Sequence, residues 1–347
     1  MSSNYRSSGN RNRKKQRYRV RYDRLIAVGV VFIVLIVILV SCIGSCSDKD
    51  KKGAESSNSQ GTVIDNTTPS GSASTPQSGN NTPDSTQPAT APVDTTWTTI
   101  SVDYSEINKG DLVLVNKTYE YKFTEELSIV DVFSNLNEYY TVSDGAVLLE
   151  ANTIYYLNMM MEAYYNGTSG NTDLRVIGGH RSKDMQTDKF ENNTTDIAGG
   201  YSDYHTARSL DIATFPTDGS SSYYLIKDGV YSWVFENASK YGFIQRYPEG
   251  KDNITGVEAR SYTFRYVGIP HAIHISQNNL SLEEYIDTVK TYTKDAPLKI
   301  TDGVKNYEVY YVMANANNIT EVTVPSNKTY TISGNNVDGF IVTVSLS

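Results

Sequence analysis

Ser202-Asp203-Tyr204-His205-Thr206-Ala207-Arg208-Ser209-Leu210-Asp211 is the stretch on which the reading of this chain turns, because it ends in a carboxylate that other chemistry-bearing segments can be aligned to. Upstream, Leu174-Arg175-Val176-Ile177 reads as a strand leading into Gly178-Gly179-His180-Arg181-Ser182-Lys183-Asp184-Met185-Gln186. Before it, Ile154, Leu157, Met161 and Tyr164 recur at helical spacing and stop at Gly167, the pattern of an amphipathic helix. The run Met159-Met160-Met161 reads as core packing. Downstream, a helix holding Trp233, Ala238 and Tyr241 ends at Gly242, and a strand from Tyr262 to Val267 follows a turn-rich loop. Asp111-Leu112-Val113-Leu114-Val115 reads as a short strand before a turn at Asn116-Lys117. The total is an α+β fold, a mixed core of helices and a mainly antiparallel sheet.

Three separated stretches, in this order, resemble the VanY-type D-alanyl-D-alanine carboxypeptidases. Gly178-Gly179-His180-Arg181-Ser182 through Gln186 is similar to the family's Ser-Gly-Tyr-Arg-Ser-x-x-x-Gln. Ser202 to Asp211 faces Ser-x-His-x-x-Gly-x-Ala-x-Asp, and Arg265-Tyr266-Val267-Gly268 matches the segment that follows the family's Glu-x-x-His. With their surroundings these stretches cover residues 97–290. The resemblance implies a D,D-peptidase-like fold and a zinc held by His, Asp and a second His. It also implies a water in the open position, a Glu as general base and an Arg for the oxyanion and terminal carboxylate.

Carried over residue by residue, that set is mostly replaced. The first His position is Tyr204, the second is Thr263, the base position is Arg260, and Asp211 alone survives among the metal ligands. Glu258 approaches the base position only with a two-residue insertion. Arginine stays protonated and repels a divalent cation, so the expectation is that the family zinc is lost and no cofactor is bound. The further expectation is that Arg260 lies against Asp211, its charge standing where the metal's would be; the alternative is a pocket that has drifted, each residue packed on its own. The weaker metal alternative pairs His205, one residue out of register, with Asp211. Arg181, Ser182, Gln186 and Ser202 are the substrate-binding candidates. His271 and His274, at the spacing of one helical face, read as ordinary histidines, and His180 as a packing or wall-lining residue.

Working outward, residues 1–24 carry nine Lys and Arg against one acid, and residues 25–46 carry no charge. The apolar run is long enough to cross a bilayer as a helix, and the basic flank puts the amino terminus on the cytoplasmic side. Leu39-Val40-Ser41-Cys42 also resembles a lipoprotein cleavage box; either route holds the protein at the membrane. Cys42 and Cys46 are the only cysteines, so the folded part has neither a disulfide nor a thiolate metal site. Residues 47–95, rich in Ser, Thr and Pro, read as a disordered linker. Beyond the basic tail the chain holds 22 basic and 38 acidic residues, a balance that argues against nucleic-acid partners. Residues 96–290 form the VanY-like core. In residues 291–347, alternating runs at Tyr307 to Val312, Glu321 to Val324 and Phe340 to Val344 predict a small β extension.

These readings lead to a single-pass cell-membrane protein with an outward domain that binds peptidoglycan stem peptides or a cell-wall protein without hydrolysing them. Two alternatives stay open: an active D,D-carboxypeptidase with displaced ligands, and a structural or interaction ectodomain.

Overall fold

The structure, a computed structural model, describes residues 95–316 and 318–346. The basic tail, the apolar segment and all but the end of the linker lie outside the described residues. Among the described residues no helix is long and apolar enough to cross a membrane.

The chain opens with β1 (Trp97–Val102), β2 (Ile129–Asp131), β3 (Thr141–Val142) and β4 (Leu148–Glu150). Helix α1 (Ala151–Gly167) follows, started by the Glu150 carboxylate, which accepts from the Thr153 amide. Its buried face holds Ile154, Leu157, Met161 and Tyr164, as the spacing predicted. Strand β5 (Leu174–Gly178) leads to α2 (Lys183–Glu191), then β6 (Ser209–Thr214) and β7 (Tyr223–Tyr224). Helix α3 (Ser232–Asn237) continues as a 3-10 turn over Ala238–Tyr241 and stops at Gly242, whose φ of 84° suits a residue without a side chain. After β8 (Phe243–Tyr247), α4 (Asp252–Thr255) and β9 (Arg260–Tyr266) come α5 (Ile269–Gln277) and α6 (Leu282–Val289). Five strands finish the chain: β10 (Leu298–Thr301), β11 (Asn306–Met313), β12 (Thr320–Pro325), β13 (Tyr330–Gly334) and β14 (Gly339–Ser345).

The central six-stranded sheet runs β3-β5-β6-β9-β8, with β7 added to β6. Only the β3–β5 pair is parallel, so the mainly antiparallel expectation holds. Strand β6, Ser-Leu-Asp-Ile-Ala-Thr, is buried along its whole length, its polar side chains as well as its apolar ones. Its register sets Asp211 directly opposite Thr263 on β9.

One expectation is corrected. Residues 111–115 are no strand, because side chains rather than a neighbouring strand serve much of their backbone. The Leu112 amide donates to Ser333 Oγ, and the Asp111, Val113 and Val115 carbonyls accept from Arg265 and Arg246. In the carboxyl-terminal part, β10, β11, β14 and β13 form a four-stranded sheet in that order. β1 pairs with β12, and Val309 and Ile341 pack in one apolar cluster with Leu112, Tyr285 and Ile286.

Candidate functional site

Three of the aligned positions meet. Tyr204, in the 3-10 turn Asp203–Thr206, donates its hydroxyl to Asp211 Oδ1 at 2.6 Å, and Thr263 Oγ1 donates to the same oxygen at 2.7 Å. The two hydroxyl oxygens are 3.4 Å apart. Tyr204 and Thr263 are fully buried and Asp211 nearly so. Burial, the neighbouring Asp211 charge and the hydrogen bond to it hold the Tyr204 phenol well above its ordinary range, despite the opposing Arg181, so it stays a neutral donor. Gly178 on β5 makes room, since a Cβ there would lie 2.9 Å from Asp211 Oδ2.

The zinc that the resemblance implies does not fit these residues. A phenol and a threonine stand where two imidazoles are needed, and both spend their protons on Asp211 Oδ1. Among the described residues no group of three or more His, Cys, Asp or Glu is placed to hold a metal ion.

His205 takes no part in the pocket. It is buried, its Nε2 accepts from the Gly200 amide at 2.9 Å, and its Nδ1 lies 2.7 Å from the Arg181 carbonyl. A carbonyl only accepts, so Nδ1 carries the proton and both ring nitrogens are used. The alternative His205–Asp211 metal pair therefore fails: the ring packs outward against Tyr121 and Phe123.

The expected Arg260–Asp211 contact is also not formed. Arg260 stands across from Tyr247 in the β8–β9 register, and its guanidinium lies 5.4 Å from the centre of that ring. The arginine–carboxylate ion pairs of the described residues are those of Arg208, Arg246 and Arg265. Asp211 Oδ1 instead accepts from Tyr204 in the 3-10 turn and from Thr263 on the adjacent strand β9.

The four substrate-binding candidates divide. Arg181 is half-buried with its guanidinium 3.9 Å above the Tyr204 ring. Gln186, fully buried, accepts from Arg181 Nη1 at 3.1 Å and donates to the Ile197 carbonyl, so it positions Arg181 instead of lining the pocket. Ser182 caps α2 by accepting from the Met185 amide. Ser202 Oγ is buried without a hydrogen-bond partner.

Sequence reasoning missed the charged lattice beneath the site. Asp203, one residue before Tyr204, is fully buried; it accepts from Arg265 Nη1 at 2.7 Å and from Ser209 Oγ, and Arg246 Nε lies at ion-pair distance, 3.2 Å. Arg246 reaches on to Glu283 at 2.8 and 3.1 Å. Burial alone would raise the Asp203 carboxyl, but the two guanidiniums outweigh it and hold it below the usual range. The signal was present: Arg246 beside Tyr247 and Arg265 between Phe264 and Tyr266 fall within sheet strands, where an ionised group needs a buried partner. His271 is a separate buried bridge, between the Tyr285 hydroxyl at 2.6 Å and Thr343 Oγ1 at 3.0 Å.

With this geometry in hand, the known relatives can be placed. The VanY family, described as D-alanyl-D-alanine carboxypeptidase, matches residues 148–269. A D-alanyl-D-alanine carboxypeptidase of Enterococcus faecium is 32% identical over 254 residues, 70% of this chain and 78% of that protein. The chain belongs to the VanY family of D-alanyl-D-alanine carboxypeptidases. The putative carboxypeptidase YodJ of Bacillus subtilis (strain 168) is 35% identical over 131 residues, 34% of this chain and 47% of that one. Among solved structures, the vancomycin-resistance D,D-dipeptidase VanXYg in complex with a D-Ala-D-Ala phosphinate analog superposes with a TM-score of 0.62. That match is 28% identical and covers 72% of this chain and 99% of the other. The VanY fold is thus kept around a pocket whose ligand and base positions have changed.

Proposed function

We propose that this VanY-family chain is a membrane-tethered, outward-facing module that binds peptidoglycan stem peptides through its altered pocket and does not hydrolyse them. The observation that carries the reading is the bonding of Asp211: Tyr204 and Thr263, standing at the two imidazole positions, both donate to its Oδ1. A neutral phenol, a threonine and a guanidinium cannot acidify a water or take its proton. Arg181 keeps a planar fork suited to a carboxylate, held by Gln186 below and the Tyr204 ring beside it. Relatives that carry the names D-alanyl-D-alanine carboxypeptidase and D,D-dipeptidase make a peptide ending in D-Ala-D-Ala the natural ligand to try. The uncharged stretch at residues 25–46, behind a basic flank, supports a tether with the amino terminus inside.

The test is metal analysis of the purified full chain beside titration with a pentapeptide ending in D-Ala-D-Ala. The expected result is no stoichiometric zinc, no release of D-alanine and measurable binding that Arg181→Ala removes. Zinc near one equivalent together with D-alanine release overturns the non-hydrolytic reading.

A further inference from the structure

The carboxyl-terminal sheet has one face that changes character along its length. Residues two apart on a strand share a face, and so do residues paired across neighbouring strands. Tyr307 pairs with Ser345, Val309 with Thr343, and Thr343 in turn with Thr331. Ile341, two positions from Thr343, pairs with Ser333. At one end this face is core, where Val309 and Ile341 pack with Tyr285 and Ile286 of α6. Toward β13 and the end of β14 it turns to hydroxyls, Thr331 and Ser333 on one strand and Thr343 and Ser345 on the other. A strand face packed on a core is apolar at every second position, so the switch to Ser and Thr marks where the protein's own cover ends.

That half of the face is still not an open surface. Tyr156 of α1, Tyr266 at the end of β9 and the first turn of α5 line a cleft together with it, about 600 Å³ in volume, within the roughly 300–1,000 Å³ of small-molecule sites. The aromatic wall is fixed: the Tyr156 and Tyr266 rings stack with centroids 5.0 Å apart. On the sheet side, Tyr307 donates its hydroxyl to Asp302 at 2.9 Å. Two of the lining hydroxyls are spent within the protein, since Ser333 Oγ accepts from the Leu112 amide and donates to the Gly334 carbonyl, and Thr343 Oγ1 is bonded to His271 Nε2. Among the described residues the hydroxyls of Thr331 and Ser345 make no bond and are left to the cleft.

The formal charges of the lining cancel. They are Lys305 and Asp111, and Asp111 is already paired with Arg208 at 2.7 Å. Burial pushes the His271 imidazole down to about 3, so it adds no charge at neutral pH. An ion gains little from such a lining, and a wholly apolar ligand would strip water from its hydroxyls without replacing the bonds. A peptide strand is poorly served too, because β13 is the outer strand of its sheet and its edge at Gly334 is closed by the Lys109 carbonyl. A sugar ring meets both demands: its C–H faces lie on aromatic rings, and the hydroxyls around its rim exchange hydrogen bonds with Ser and Thr. Tyr204, Asp211, Thr263 and Arg181 are not among the residues that line this cleft.

We infer that the cleft between the carboxyl-terminal sheet and the Tyr156–Tyr266 wall is a second binding site, one that takes an uncharged oligosaccharide. It goes beyond the peptide-binding reading and does not depend on it.

The experiment is calorimetric titration of the full chain, in a detergent without a sugar headgroup, with the neutral trisaccharides chitotriose, cellotriose and maltotriose. Inorganic phosphate and the pentapeptide ending in D-Ala-D-Ala are titrated beside them. At least one trisaccharide is expected to bind saturably, with a Kd of about 1 mM or tighter. Tyr156→Leu keeps apolar bulk but removes the ring, and is expected to weaken that sugar about ten-fold. Thr331→Val removes one hydroxyl at an exposed position and is expected to weaken it about five-fold. Each variant is checked by its thermal midpoint, and Thr331→Val decides the matter if Tyr156→Leu does not fold. Absence of saturable binding by all three sugars overturns the inference, as does binding of phosphate in their place. Displacement of the bound sugar by the pentapeptide, or a sugar affinity that the substitutions leave unchanged, overturns it as well.

Discussion

Replacing Asp211 separates a hydroxyl acceptor from a metal ligand. In Asp211→Asn the side-chain carbonyl still accepts from Tyr204 and Thr263, which donate at 2.6 and 2.7 Å in the natural chain. Hydrogen bonds to a charged group contribute about 1.5–3 kcal/mol and neutral ones about 0.5–1.5, so losing the charge on two bonds costs roughly 2 kcal/mol. Asp211→Ala leaves two buried hydroxyls without their acceptor, at about 1–3 kcal/mol each. Their separation of 3.4 Å lets one turn to the other and recover part of the cost, so the expected loss is roughly 3–4 kcal/mol. For a folded unit of this size each kcal/mol moves the thermal midpoint by about 2–4 °C, so the Asn variant falls roughly 6 °C and the Ala variant roughly 10 °C. The assay is thermal unfolding followed by circular dichroism, with and without EDTA and with one equivalent of zinc. Neither addition is expected to move the natural chain. A midpoint that EDTA lowers and zinc restores, with the response gone in Asp211→Asn, refutes the reasoning.

Asp203→Asn should be the more damaging change, because it leaves the Arg265 and Arg246 guanidiniums buried without their shared carboxylate; calorimetry should register a loss of about 3–5 kcal/mol. Its folded pKa is depressed, so its contribution is fully present above the unfolded value near ~3.9 and is lost as pH falls through the lower folded value. The natural chain should therefore lose midpoint steeply below about pH 4, and Asp203→Asn should lose less over that interval. Tyr204→His, Thr263→His and Arg260→Glu combined should bind zinc at about one equivalent by metal analysis, since they rebuild two imidazoles and a base around Asp211; failure to bind would mean that the backbone has moved away from the family geometry. Arg260→Glu alone should set a second carboxylate near Asp211, raise the pKa of the pair and so lower the midpoint more at pH 8 than at pH 5.

The convergence of positions 204, 211 and 263 was legible in the sequence because it depends only on backbone register. Tyr204 and Asp211 lie seven positions apart across turn and strand, and β6 pairs Asp211 with Thr263. What the replaced side chains do with one another was not legible. Thr263 faces Asp211 across one strand pair and reaches it with a short side chain. Arg260 lies beyond a register shift between Gln245 and Tyr247 and rests on the latter ring. His205 was open to either face until the fold bonded both its nitrogens to backbone groups. The Asp203–Arg265–Arg246–Glu283 lattice joins the 3-10 turn, two strands and α6, contacts between residues up to 62 positions apart in sequence. The carboxyl-terminal strands were legible as strands, from their alternation. Their partnership with β1 was not, since it links opposite ends of the folded sequence.

The three replacements at the altered pocket behave as one physical solution. A buried Asp211 without a metal would be an ionised group short of partners, and it would be worse off beside a second carboxylate at the base position. Tyr204 and Thr263 answer the first problem by supplying two donors to Oδ1. Arg260 answers the second by exchanging the negative charge for a positive one that acts on Asp211 without touching it. Reverting any one alone recreates a conflict that the other two had removed, because a single imidazole gives no metal site and a single glutamate adds only repulsion. A stepwise return to the family's residues therefore passes through destabilised intermediates.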